Sequence, residues 1–163
     1  MIPRYRNAKH AGEVLGFRSG LEEANSKHLE KHGQPVLYET FKIRYAIPLS
    51  WHTYTPDFRL VNGILVETKG RWLMEDRAKM LFVKVQYPDL DIRLVFSRGK
   101  TPISTGAKTT CAEWAEKHGM KWAEKLIPLE WLREPGPKYS PEEALRRGPV
   151  GYQEIFEAQR KVK

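Results

Sequence analysis

The stretch from Asp57 to Lys69 constrains this chain more tightly than any other. Two apolar runs, Phe58 to Leu60 and Ile64 to Lys69, flank Val61-Asn62-Gly63, and an Asn-Gly pair between such runs predicts a β-hairpin. Two turns compete. A two-residue Asn62-Gly63 turn pairs Val61 with Ile64 and sets Asp57 opposite Thr68, with Glu67 facing away. It also mixes Phe58 and Leu60 with Leu65 and Glu67 on one side, which makes a poor core. A three-residue turn with Gly63 left-handed pairs Leu60 with Ile64 instead. Phe58, Leu60, Ile64 and Val66 then share one face, and Asp57, Arg59, Glu67 and Lys69 gather on the other. The register that buries the hydrophobes also assembles the charges, and it is the register expected.

That register has a chemical consequence. Residues two apart in a strand project together, so Glu67 and Lys69 share a face. Directly opposed residues have Cβ atoms roughly 4.5–5.5 Å apart, where two like carboxylates repel unless a cation lies between them. Asp57 and Glu67 therefore form a candidate site for a hard divalent ion, magnesium or manganese, with positions left for water and phosphate. Such an ion activates water and neutralises charge on a phosphodiester. Lys69 is placed to orient that water or to stabilise the transition state. The plainer reading is a solvated sheet face carrying a Glu–Lys pair. Pro56-Asp57 followed by a hydrophobic hairpin and Val66-Glu67-Thr68-Lys69-Gly70 is far rarer than a lone Glu-x-Lys.

The charge balance points the same way. The 163 residues carry 28 Lys and Arg against 20 Asp and Glu, net +8, which makes a polyanion such as nucleic acid the default partner. The single cysteine, Cys111, excludes an intramolecular disulfide and a zinc-finger framework. No run approaches the ~20 apolar residues that span a bilayer, and a reducing cytoplasm is the expected setting.

Along the chain, residues 1–16 read as a basic arm, with Arg4, Arg6 and Lys9 as candidate DNA contacts. Residues 17–135 read as the globular domain and 136–163 as a basic, Pro-containing tail. Ser19 with Glu22 three residues on has the spacing of a capping box, predicting a helix to about His32 that stops at Gly33. Val36 to Ile47 reads as one extended strand of twelve residues ended by Pro48. A helix is expected from Trp72 to Tyr87, a buried strand from Ile92 to Phe96, and a second capped helix from Thr110 to His118 with Trp114 inward. Leu126 to Leu132 is a short apolar run. His52 and Tyr54 are expected in a loop beside Asp57, where His52 is a candidate phosphate contact.

Three runs carry a resemblance: Phe17-Arg18-Ser19-Gly20-Leu21-Glu22, His52-Thr53-Tyr54-Thr55-Pro56-Asp57-Phe58, and Asn62-Gly63-Ile64 through Val66-Glu67-Thr68-Lys69-Gly70. With Glu116-Lys117-His118-Gly119 and Lys125-Leu126-Ile127-Pro128, they make the chain similar to the phage endonuclease I family, the Holliday-junction-resolving enzymes of T-odd phages and their relatives. The resemblance implies an α/β, restriction-endonuclease-like core with a mixed central sheet flanked by helices. It implies an enzyme that nicks branched DNA in the infected host's cytoplasm, leaving 5′-phosphate and 3′-hydroxyl ends. The implied catalytic set is Glu22, Asp57, Glu67 and Lys69. Two Mg²⁺ or Mn²⁺ ions are implied on Glu22, Asp57, Glu67 and the main-chain oxygen of Thr68. Arg18 joins the candidate DNA contacts. An intertwined homodimer is implied too, with the helix bearing Glu22 completing the partner's site and Val36–Ile47 as the bridge. Rivals are a sequence- or mismatch-specific endonuclease on the same core and a non-catalytic DNA-binding module.

Overall fold

The computed structural model describes residues 16–47 and 50–151. Arg4, Arg6 and Lys9 of the expected basic arm lie outside them, as do residues 152–163. The central sheet has five strands in the order β1 (Leu37–Tyr38), β4 (Phe58–Arg59), β5 (Leu65–Lys69), β6 (Ile92–Phe96) and β7 (Trp122–Glu124). β1, β4 and β5 are antiparallel neighbours, whereas β5, β6 and β7 are parallel. Parallel neighbours need long crossovers, supplied here by segments containing helices α2 (Met74–Gln86) and α3 (Cys111–Lys117).

Both faces of the sheet are covered, which is why all five residues of β6 are buried. Leu65, Leu94 and Phe96 pack on one side with Met80 and Val83 of α2, with Trp114 of α3, and with Ile43 and Tyr54. Phe58, Leu60, Ile64, Val66 and Val95 pack on the other with Leu29 of helix α1 (Gly20–Lys31). Ile127 and Trp131, the latter from helix α4 (Leu129–Arg133), complete that layer.

The hairpin takes the expected register. Phe58 pairs with Val66 and Arg59 with Leu65. The Leu60 N–H donates to the Ile64 carbonyl at 2.8 Å, and the Gly63 N–H closes the turn on the Leu60 carbonyl at 2.9 Å. Gly63 sits at φ +88°, a conformation glycine adopts freely. The turn is also held from outside. The Asn62 side-chain amide donates to the carbonyls of Trp131 (2.8 Å) and Glu134 (2.9 Å). Gly136 passes so close that a Cβ there would lie 2.0 Å from the Asn62 carbonyl oxygen. Glu134 is fixed in turn by Arg93, a β6 residue only 2% exposed, whose guanidinium forks between Asp91 and Glu134 and lies over the Trp131 ring.

The expected helices form, starting and ending slightly inside the predicted limits, and Ile92–Phe96 is a strand as predicted. Two expectations fail. Val36 to Ile47 is not one strand: it is β1 and then β2 (Ile43–Ile47), because Glu39 adopts a left-handed φ of +48° and turns the chain. His52 and Tyr54 do not lie in a loop, since Ser50–Tyr54 forms β3, an antiparallel partner of β2. Four of the five β3 residues are exposed, so the strand lacks the alternation that would have revealed it. The segment after Pro135 carries helix α5 (Pro141–Arg147), capped by a Ser140–Glu143 box. It packs through Ala144, and its Arg147 pairs with Asp89 at 2.7 Å.

The β2–β3 pair is tied to the body by one buried amide. Gln86 is fully buried, accepts the Ala46 N–H at 2.8 Å and donates to the Ala46 carbonyl at 2.8 Å, standing in for a neighbouring strand. The Tyr87 hydroxyl adds a bond to the Arg44 carbonyl at 2.6 Å. Gln86→Leu keeps the volume and leaves two buried backbone groups unpaired. The expected loss is about 2–4 kcal/mol. A urea melt should show a lower midpoint with an unchanged slope, their product giving that loss; a loss below about 0.5 kcal/mol would mean that the amide is not the tie.

Candidate active site

Five segments bring charged groups to one pocket of about 420 Å³, lined by Arg18, Glu22, Glu39, Tyr54, Asp57, Glu67, Thr68, Lys69 and Lys79 among others. The hairpin register accounts for the centre. Extending the Phe58–Val66 pairing by one step sets Asp57 across from Glu67, and both side chains are buried, 3% exposed each. Glu67 and Lys69 share a face as strand periodicity requires. The Lys69 ammonium lies 2.9 Å from Glu67 Oε1 and 3.1 Å from Asp76 Oδ1 of α2.

Each carboxylate is held by a neutral donor as well. Asp57 Oδ2 accepts the Thr68 N–H at 2.7 Å and the Thr68 hydroxyl at 2.9 Å. Glu67 Oε2 accepts the hydroxyl of fully buried Tyr54 at 2.8 Å. Glu22 accepts the Arg18 N–H at 2.7 Å and the Tyr38 hydroxyl. This last arrangement alters the expected capping box. Ser19 does cap α1, accepting the Glu22 N–H at 3.2 Å, but the Glu22 carboxylate reaches past the cap to Arg18 and Tyr38. Glu22 is thus free of the reciprocal cap and aimed into the pocket.

Helix α1 is placed by buried polar contacts rather than by apolar packing alone. Asn25 is fully buried, donates to the Lys125 carbonyl at 3.0 Å and accepts the Ile127 N–H at 2.7 Å. His28 Nε2 meets the Ile127 carbonyl at 2.9 Å. These bonds fix the rotation of the helix, and Glu22 lies one turn before Asn25, on the same side.

The electrostatics record the crowding. Burial, and then the charge of Glu67, push the Asp57 carboxyl up to about 7, against the opposing pull of the two Thr68 bonds. Burial alone would lower the Lys69 ammonium, but the carboxylates of Glu67 and Asp76 hold it well above the ordinary lysine value. Burial and the neighbouring Glu67 charge raise the Tyr54 hydroxyl well above its usual range, so it remains a donor.

Of the sequence-predicted residues, Glu22, Asp57, Glu67, Thr68, Lys69 and Arg18 all line this pocket. His52 does not; it stands on the exposed β3 surface, 2.8 Å from Ser50 Oγ and beside the Tyr45 ring. Sequence reasoning missed Tyr38, Glu39, Asp76 and Lys79. Lys79 lies over the Tyr54 ring with its ammonium 3.9 Å from Glu67. The pair Asp76 and Lys79, three apart on a predicted helix that follows Lys69, was the available signal for half of these.

The donor set fits a hard divalent cation. Glu22, Asp57 and Glu67 are oxygen ligands of the kind magnesium and manganese take, and two buried carboxylates that face each other are stabilised by a cation between them. Among the described residues no three ligand side chains stand at metal spacing, and each of these carboxylates is engaged by a protein donor.

The raised Asp57 predicts a pH effect on metal-stripped protein. Between about pH 4 and 7 the folded chain keeps a proton that the unfolded chain has released, so stability falls as pH rises through that window. Asp57→Asn removes the titrating group and the repulsion. In EDTA it should match the wild type near pH 4 and exceed it above pH 7 by up to about 4 kcal/mol in chemical denaturation. Parallel stability curves for the two proteins would show that Asp57 is not strained by Glu67.

The family described as phage endonuclease I matches residues 2–148. The chain is 54% identical to "Endonuclease I" of Escherichia phage T7 over 128 residues, covering 78% of this chain and 86% of that protein. It is 52% identical to "Endodeoxyribonuclease 1" of Enterobacteria phage T3 over 119 residues, covering 73% of this chain and 78% of that one. A match over nearly the whole chain, with more than half of the aligned residues shared, makes this chain a member of the phage endonuclease I family.

Proposed function

We propose that this chain is a structure-selective endodeoxyribonuclease that resolves four-way (Holliday) and other branched DNA by metal-dependent phosphodiester hydrolysis, leaving 5′-phosphate and 3′-hydroxyl ends. The observation that carries the reading is the convergence of Glu22, Asp57, Glu67 and Lys69 on one solvent-open pocket. The names of the T7 and T3 relatives support the nuclease activity, and the net charge of +8 supports a polyanionic substrate. By the same likeness, the place of action is the cytoplasm of the infected host.

Glu22, Asp57, Glu67 and the main-chain oxygen of Thr68 would hold magnesium or manganese, two ions per site. Bound there, the ions would supply charge neutralisation at the phosphodiester and a more acidic water. The protein's own groups do the rest. Thr68 orients Asp57, and Tyr54 orients Glu67, so that their lone pairs point into the pocket. Lys69, kept protonated by Glu67 and Asp76, offers a fixed positive charge to the phosphoryl oxygens as negative charge builds on them. Arg18 and Lys79 place two more cations at the pocket wall, where they meet the phosphate backbone.

Glu67→Ala and Asp57→Ala should each abolish cutting in magnesium. Junction affinity, read by gel shift in calcium, should stay within about tenfold of wild type, because affinity rests mainly on Lys and Arg contacts to phosphates. Normal cleavage by either purified variant would sink the assignment.

The proposal includes a homodimer in which α1 of one chain completes the site of the other. Its support is Glu39. A glutamate at φ +48° adopts a conformation that L residues rarely take, and it opens the break between β1 and β2. With Glu39 extended, the run becomes one strand and carries α1 away from its own body, to dock by the same Asn25 and His28 bonds on a second copy. A co-expressed heterodimer of Glu22→Ala and Glu67→Ala chains tests this. In the shared arrangement one site takes both defects and the other none, so the heterodimer should nick one strand of a junction while both parents are inactive. A folded, junction-binding heterodimer that nicks nothing would place Glu22 in its own chain's site.

A further inference from the structure

Beside the catalytic pocket lies a second cavity of about 210 Å³, and Lys69 lines both. Its walls are Trp72, Leu73, Phe96, Pro102, Ile103 and Cys111, with Arg71 and Arg98 at its edge. Trp72 is only 4% exposed, yet its indole Nε1–H has no hydrogen-bond partner among the described residues. A buried donor left unpaired is rare enough to need an explanation, since it has given up its bond to water without gaining another. An acceptor arriving with a ligand is one.

The cavity is preformed. The Arg77 guanidinium donates to the carbonyls of both Trp72 and Ile103, the latter at 2.9 Å, and so clamps two walls together. The loop after β6 is folded back on itself by the Ile103 N–H to Thr109 carbonyl bond (3.0 Å) and the Cys111 N–H to Thr101 carbonyl bond (2.9 Å). Edge-on contacts of the Trp72 ring with Phe96 and Trp114, at centroid distances of 5.5 and 5.2 Å, fix the indole. Arg71 and Arg98 are exposed and have no ion-pair partner among the described residues.

The ligand this chemistry fits is flat and apolar on its faces, bears an acceptor on its edge, and carries anionic groups that reach the two arginines. A nucleotide meets all three demands: ring nitrogens and carbonyls for the indole N–H, and flanking phosphates for the guanidinium groups. We propose that this cavity receives one unstacked nucleobase from a nucleotide next to the scissile phosphate, an inference that rests on the nuclease reading of the adjoining pocket. Because Lys69 borders both spaces, the base and the reacting phosphate are separated by one side chain. Extruding a base costs least where pairing or stacking is already broken, as at a branch point or a mismatch. The cavity thereby gives the enzyme a means of recognising disturbed DNA without reading its sequence.

The test is fluorescence of 2-aminopurine, which brightens when unstacked. It is placed in turn at the two nucleotides on each side of the cut in a four-way junction, with full-length protein in calcium. Wild type should brighten one position several-fold over the free junction. Thr101→Phe, which fills the cavity from its rim, and Trp72→Phe, which removes the N–H and keeps a ring, should return that position toward the free-junction level while gel-shift affinity changes little. Arg98→Gln alters only an exposed residue and should weaken the response even if either interior variant fails to fold. No brightening at any of the four positions, or brightening that survives Thr101→Phe and Arg98→Gln, would overturn the proposal. Cleavage of the unlabelled junction in magnesium, measured alongside, separates the two readings. Cutting without a fluorescence response removes the base pocket only, whereas failure to cut removes the nuclease assignment itself.

Discussion

Asp57 and Glu67 are two carboxylates buried against each other, and much of the surrounding structure is an answer to their repulsion. Burial first, and then the charge of Glu67, push the Asp57 carboxyl upward, so the pair is costly to hold in its charged form. Lys69 and Lys79 draw near from one side, the Tyr54 and Thr68 donors hold the outer lone pairs, and the Asp76 carboxylate shares the Lys69 charge. A fold that keeps such a pair forgoes stability at a place where chemistry needs it. The requirement is met by the register of a short hairpin, and the register in turn by the left-handed Gly63.

That dependence explains why the support for the site is polar. Apolar layers on both faces of the sheet hold the strands, but they tolerate small slips of the elements laid on them. Directional bonds from buried side chains do not. Asn25 sets the rotation of α1 and so the reach of Glu22. Gln86 sets the height of β2, and through β3 the position of Tyr54. Arg93 fixes Glu134, whose carbonyl receives the Asn62 amide at the hairpin tip. Each anchor stands outside the charged pocket and determines where one of its side chains can be.

The hairpin was legible in the sequence because only one register separates Phe58, Leu60, Ile64 and Val66 from Asp57 and Glu67. Hydrophobic periodicity carries that information without a partner. Helix limits were legible for the same local reason, from Ser19 and Thr110 as caps and from Gly33 and Gly119 as stops. β3 was not legible, because an outer strand of a two-stranded ribbon exposes both faces and loses its alternation. The break at Glu39 was hidden too, since nothing in a glutamate announces a positive φ. Glu39 reaches the pocket, and Tyr38 reaches Glu22, through contacts between distant segments, which no local pattern encodes. Glu22 sits between these cases: as a residue it was visible, but spacing alone suggested a cap, and only the family likeness suggested a ligand.

The order of the chain adds a consequence of the way the hairpin tip is held. The residues that line the charged pocket run from Arg18 to Lys79, whereas their anchors Lys125, Ile127, Trp131 and Glu134 come much later, and Pro137 and Pro141 lie against Gly63. A ribosome delivers the chemistry before it delivers the scaffold that aligns it. A growing or prematurely ended chain therefore carries every acidic group and the lysine, yet lacks the struts that hold them in register. The pocket's charged groups are thus encoded ahead of the supports that align them, and they gain their register only after the later segment has been made and has folded against the hairpin.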